Sequence, residues 1–203
     1  MTGSVLIVSG PSGAGKSSLV KEILNHIPNA VFSISTTTRK PREGEIHGVN
    51  YFFTDKESFQ KDIDDEAFLE WANVHDNFYG TSIKQIMEYL KNGKLVILDI
   101  DVQGYMIAKK KLGNFITSVF ITTKDKKSLE NRLILRQSDA KDTINTRLEN
   151  AKKEMTYINE YEYLIINDDF NIARNAILSI AASSIHKCTL VDKEEFISSW
   201  FKN

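Results

Sequence analysis

At 203 residues, with 41% hydrophobic and 26% charged side chains, the chain has the size and composition of one soluble globular domain, without the polar bias of disorder or the period of a repeat protein. A formal charge of -1 gives no global basic field, which argues against a nucleic-acid-coating protein and makes any polyanion site local. The single Cys188 excludes an internal disulfide and a cysteine metal cluster. No apolar run approaches the roughly 20 residues of a membrane helix, so a cytoplasmic protein without membrane contact is expected.

In chain order, residues 5–9 form a short apolar run without alternation, the pattern of a strand buried on both faces. A glycine-rich loop at 10–17 leads into helical spacing over 17–26. Residues 35–82 then break the rhythm with a Thr/Arg/Gly-rich loop, the aromatic stretch Tyr51-Phe52-Phe53 and a short helical pattern at 56–63, and they read as an inserted small subdomain. Strand patterns return at 95–99, 118–123 and 163–167, interleaved with helical patterns at 102–111, 126–136, 143–158 and 171–187. A polar break at 137–141 separates two Arg-bearing helices and is the expected tip of a mobile lid, and 195–201 is expected to form a short docked helix. Strands alternating with helices predict a three-layer α/β fold, a parallel sheet covered on both faces.

The loop reads Gly10-Pro11-Ser12-Gly13-Ala14-Gly15-Lys16-Ser17, the spacing GxxxxGK[ST], after a strand and before a helix as that motif requires. Its glycines let successive N–H groups turn inward on phosphate oxygens, the helix presents its positive end, Lys16 adds a point charge and Ser17 offers a hydroxyl to Mg²⁺. Residues 95–99 form an apolar strand ending in Asp99, the form of a Walker B element that holds Mg²⁺ through water. Phosphoryl transfer demands positioning and charge neutralisation, which draws attention to two groups of arginines. Arg39 and Arg42 flank Pro41 in a hydroxyl-rich loop, a pattern that an ordinary basic turn also explains. Arg132 and Arg136 share one helix face, with Arg147 beyond the polar break, and a salt-bridged helix surface is the alternative there.

Several motifs in order make the chain resemble the guanylate kinase family from about residue 4 to 168: GPSGAGKS at Gly10, SISTTTRKPREGE at Ser33, residues 48–51, LEWANV at Leu69, FYGTS at Phe78, LDIDVQG at Leu98, the three arginines and IIND at Ile165. The resemblance implies a P-loop nucleoside monophosphate kinase with a core (1–34, 83–124, 146–187), a GMP-binding insertion (35–82), a helical lid (125–145) and a tail (188–203). It implies transfer from ATP to GMP, and to dGMP, with Mg²⁺. Ser35, Arg39, Arg42, Tyr51, Glu70, Tyr79, Thr81 and Asp101 are then the GMP-binding set, and residues 10–18, including Ser18, with Asn167 the ATP-binding set. Lys16, Arg39, Arg132, Arg136 and Arg147 are the catalytic cations, and Ser17 and Asp99 the metal-side residues. Guanine presents N1–H and the 2-amino group side by side, and one carboxylate, here Glu70, accepts from both; adenine has no such pair.

A kinase for another monophosphate and a non-catalytic scaffold that binds a phosphoprotein are the rival readings, and a homo-oligomer stays open. Gln137 stands where the family usually has glycine, which bears on lid motion. The four histidines lack metal-ligand spacing, Lys109-Lys110-Lys111 reads as a solvated helix end, and Glu70-Trp71 taken alone reads as a strand with an exposed acid and a buried aromatic.

Overall fold

The computed structural model describes residues 3–74, 76–135 and 141–202. In chain order the elements are β1 (Ser4–Ser9), α1 (Lys16–His26), β2 (Ala30–Phe32), β3 (Thr36–Thr37), β4 (Phe52–Phe53), α2 (Lys56–Asp64), β5 (Phe68–Val74), β6 (Asn77–Ser82) and α3 (Ile83–Lys91). They continue with β7 (Leu95–Asp99), α4 (Val102–Leu112), β8 (Ile116–Thr122), α5 (Lys126–Leu135), α6 (Lys141–Met155), β9 (Tyr163–Ile166), α7 (Phe170–Ser184) and α8 (Lys193–Trp200).

A five-stranded parallel sheet, order β2-β7-β1-β8-β9, forms the middle layer. Successive side chains of β1 point to opposite faces and supply two cores. Leu6 and Val8 pack with Leu19, Val20 and Ile23 of α1 and with Ala173, Ile177 and Ala181 of α7. Val5 and Ile7 pack with Ile86 and Leu90 of α3 and with Tyr105, Ala108 and Leu112 of α4. The expected three-layer α/β architecture is therefore present. One strand departs from the expected pattern: β9 has one neighbour, β8, and Tyr163, Leu164 and Ile166 stay exposed, so this apolar run is an edge strand and not one buried on both faces.

The segment read as an insertion folds its own four-stranded sheet, order β4-β3-β6-β5, with β6 antiparallel to both β3 and β5. Helix α2, capped by Asp55 accepting from Ser58 N–H at 2.7 Å, drops Phe59 onto this sheet. Phe59 is fully buried, stacked on Phe68 and Phe78 at 4.5 and 5.4 Å. Gly80 makes that stack fit, because a Cβ there would lie 2.8 Å from the Phe68 ring.

Helices α5 and α6 share a small core of Leu129, Leu133, Leu148 and Ala151. Between them and the loop at Pro11 lies a cavity of about 250 Å³ lined also by Thr123 and Met155. The expected tail helix forms as α8, but none of its residues is buried, so it is not docked as expected. Among the described residues no helix is long and apolar enough to cross a membrane.

Candidate active site

The glycine-rich loop 10–17 leaves β1 at the carboxyl edge of the sheet, between the ends of β7 and β8. Gly10 has φ 134° and a Cβ there would sit 2.0 Å from Ile121 O; only glycine passes so close to β8. Gly15 has φ 94° and stands at the start of α1 without a side-chain cap, so the first N–H groups of that helix face the loop. Lys16 folds over the loop, its Nζ donating to Gly10 O at 2.6 Å and Pro11 O at 3.3 Å. Ser12, Ser17 and Ser18 are exposed, whereas Pro11 and Ala14 are buried and Gly13 backs onto Leu133.

Asp99 ends β7 directly beside Val8 of β1. Burial pushes its carboxyl above the usual range, and the nearby Lys16 cation opposes this. Among the described residues no side chain donates a hydrogen bond to Asp99, and no cluster of three or more His, Cys, Asp or Glu side chains is arranged for a metal. A half-buried carboxylate that accepts no hydrogen bond from a described side chain suits an ion held chiefly by water and substrate phosphates, as Mg²⁺ prefers.

Two of the three predicted lid arginines reach this loop. Arg132 of α5 donates to Asn167 O at 2.5 Å and to Ala14 O at 3.4 Å, and Arg147 of α6 donates to Ser12 Oγ at 3.0 Å. Arg136, like Gln137, lies outside the described residues. Asn167 is buried after β9, and its Nδ2 donates to Ala14 O at 2.8 Å. A Cβ at Gly15 would stand 2.3 Å from that nitrogen, so loop and Asn167 are fitted to each other. Helix α6 also brings in Glu154, unnoticed in the sequence. Burial pushes its carboxyl up, with Lys16 opposing and Asp101 adding to the rise.

The remaining residues gather in two groups on the four-stranded sheet and at its edge. In the first, the Arg39 guanidinium lies 5.3 Å from the Tyr51 ring, and Tyr51 meets Tyr79 edge-on at 6.0 Å. Arg39 donates to Glu45 at 2.7 Å, while the Arg42 N–H takes the other Glu45 oxygen at 2.7 Å. Glu45 thereby folds the loop that carries both arginines, and Arg39 holds its carboxyl below the ordinary range. Its position in the motif gave no sign of that role. Ser35 O accepts from Phe52 N–H at 2.9 Å and ties this loop to the sheet.

In the second group Thr81 Oγ1 donates to Glu70 Oε1 at 2.5 Å, Thr81 standing opposite Glu70 in the β5/β6 ladder. Burial pushes the Glu70 carboxyl up; the Thr81 bond and Lys111 oppose this and Asp101 adds to it. Asp101 caps α4 by accepting from Gly104 N–H at 2.7 Å. The strand is the reverse of the reading from the pair alone: Glu70 is half-buried and Trp71 is exposed, because the aromatic stack under this sheet is made by Phe59, Phe68 and Phe78. Nor is the triple lysine merely solvated, for Lys109 reaches Glu160 at 3.2 Å and Lys111 donates to Phe68 O at 3.0 Å. Tyr79 and Thr81 are two apart on β6 and so share a face about 7 Å apart, which sets the two groups side by side.

The guanylate kinase family model matches residues 2–183. The chain is 54% identical to the guanylate kinase of Helicobacter hepaticus over 181 residues, 89% of this chain and 90% of that one. It is 50% identical to that of Sulfurimonas denitrificans over 199 residues, 98% of this chain and 97% of that one. The fold superposes on the crystal structure of guanylate kinase from Anaplasma phagocytophilum with a TM-score of 0.78 at 28% identity, covering 98% of this chain and 96% of that one. With this agreement in sequence over nearly its whole length and in fold, the chain belongs to the guanylate kinase family.

Proposed function

We propose that the protein transfers the γ-phosphoryl group of ATP to the phosphate of GMP, and of dGMP, giving ADP and the diphosphate, as a step of purine nucleotide metabolism in the cytoplasm. The observation that carries this reading is the half-buried Glu70 carboxylate, held by Thr81 on the inserted sheet beside the Arg39, Tyr51 and Tyr79 group. A carboxylate so held accepts from N1–H and the 2-amino group of guanine together. Arg39, Arg42, Tyr51 and Tyr79 bind the monophosphate, with Ser35, Thr81 and Asp101 completing the acceptor site.

The loop 10–17 with Ser18 and Asn167 holds ATP. A phosphate oxygen of GMP attacks the γ-phosphorus in line; the bond to the β–γ bridging oxygen breaks, and that oxygen leaves on ADP. The attacking oxygen is already anionic, so no general base is required. Lys16, Arg39, Arg132, Arg136 and Arg147 neutralise charge on the transferred oxygens, which supplies most of the acceleration in this class of reaction. Ser17, and Asp99 through water, would hold Mg²⁺ together with the substrate phosphates, where the ion would supply further charge neutralisation. Closure of the insertion 35–82 and the lid 125–145 onto the core excludes water from the transfer.

ADP formation from Mg²⁺-ATP with GMP, dGMP, AMP, CMP or UMP tests the assignment. Turnover with GMP and dGMP far above the others is expected. No GMP-dependent turnover overturns it, and equal turnover with AMP removes the guanine reader.

A further inference from the structure

We propose that Gly104 and Lys111, two turns apart on one face of α4, are positioning residues that set the specificity of the acceptor site by holding Glu70 in place. The inference rests on Glu70 being the guanine reader.

Glu70 stands at an irregularity in its strand. The β5/β6 register shifts between Phe68, opposite Ser82, and Glu70, opposite Thr81. A bulge of this kind re-aims side chains and leaves the ladder unable to fix them by itself. The orientation of Glu70 then depends on what packs against the bulge, and that is α4. Lys111 Nζ donates to Phe68 O at 3.0 Å, tying down the backbone on one side of the irregularity. Lys111, Ile107, Phe68 and Glu70 line one cavity there, of about 430 Å³.

On the other side of the bulge the carboxylate meets Gly104. One Glu70 oxygen takes the Thr81 hydroxyl; the other, Oε2, would lie 3.2 Å from a Cβ at Gly104, and Asp101 Oδ1 would lie 3.4 Å from it. Gly104 lies in the first turn of α4, its N–H bonded to the Asp101 cap, and has no positive φ, so the helix backbone itself gives no reason for glycine. The space above it is taken by the carboxylate. Of the charged groups that α4 turns toward Glu70, Asp101 pushes its carboxyl up and Lys111 opposes the rise.

The test compares Gly104→Ala, Lys111→Met, Lys111→Arg and Glu70→Gln for thermal midpoint, for KM and kcat with GMP and with IMP, which lacks the 2-amino group, and for KM with ATP. A Cβ at Gly104 must move the carboxylate by a few tenths of an ångström. About a tenfold rise in KM for GMP is expected, with a matching fall in the GMP-to-IMP preference and kcat changed less than about threefold. The KM for ATP stays unchanged, and the thermal midpoint is equal or higher because alanine is the better helix former.

Lys111 is exposed at the surface, so its substitution leaves folding intact. Lys111→Met should raise KM for GMP about threefold, and Lys111→Arg should restore it. If Gly104→Ala or Lys111→Met keeps the wild-type GMP-to-IMP preference while Glu70→Gln loses it, the inference is wrong and the reading of Glu70 stands. Equal losses with GMP, IMP and ATP together with a lower midpoint also overturn the inference, since they mark general damage. If Glu70→Gln itself keeps the preference, the reading beneath the inference falls.

Discussion

Glu70→Gln is a near-isosteric change whose effect follows from one bond. In the wild type Oε1 is occupied by the Thr81 hydroxyl at 2.5 Å, and the carboxylate still has acceptor capacity for both guanine donors. In the amide, if the oxygen stays with Thr81, the NH₂ group faces two guanine donors. If the amide turns over, its oxygen accepts one of them and leaves the other without a partner. Either arrangement orphans at least one donor in a half-buried site and removes the charge that strengthens the bonds. The loss is about 1.5 to 3 kcal/mol, or roughly 10- to 150-fold in kcat/KM for GMP. Steady-state kinetics with GMP and IMP read this out, the loss being smaller for IMP, which has one fewer donor. Because burial pushes the Glu70 carboxyl up, removing its charge costs no stability at neutral pH, so the thermal midpoint should not fall. An unchanged kcat/KM for GMP refutes the reasoning.

Lys16→Ala should lower kcat by about 10² to 10³-fold in the same assay while leaving the fold intact, and near-normal turnover would remove the phosphate-loop assignment. Asp99→Asn should raise the thermal midpoint of the nucleotide-free protein at pH 7 while reducing Mg²⁺-dependent turnover. Burial raises the folded-state pKa of Asp99, so its stabilising contribution is complete below the ordinary aspartate pKa and is lost as pH rises through the folded value. The gap between the two proteins should therefore close on acidification toward about pH 4, and a gap independent of pH would contradict the assigned cause. Phe59→Ala, which empties the centre of the inserted sheet's aromatic stack, should cost about 3 to 5 kcal/mol in urea denaturation. A loss under about 1 kcal/mol would mean that the stack does not hold this sheet.

The parallel core was legible because a central strand of such a sheet has no solvent face: β7 has the bounds 95–99 that its apolar run predicts. The same rule misread β9, since an apolar run does not say whether its strand lies at an edge, and Tyr163, Leu164 and Ile166 are exposed there. Helix α3 went unread although Ser82 caps it and Ile86 and Leu90 form its buried side, and its nine residues are no fewer than those of α2, which was read. The two-residue strands β3 and β4 were invisible for another reason: they exist only through pairing with residues distant in sequence, Thr37 with Tyr79 being one case.

At the site, the turn of residues 10–17 into α1 was legible because its glycines act through local backbone geometry. Glu45 was not, since its role is to receive Arg39 and the Arg42 N–H across a loop turn. The close approach of Glu70 to Gly104 depends on how α4 crosses β5, and spacing along the chain does not record that crossing.

The most direct test of the central claim follows the phosphorus itself: ³¹P NMR of the protein with ATP, GMP and Mg²⁺. Direct transfer between nucleotides predicts that the γ signal of ATP is lost while the two signals of GDP and those of ADP grow in equal amounts, with no inorganic phosphate. Inorganic phosphate appearing in place of GDP, or loss of ATP that does not depend on GMP, would contradict it.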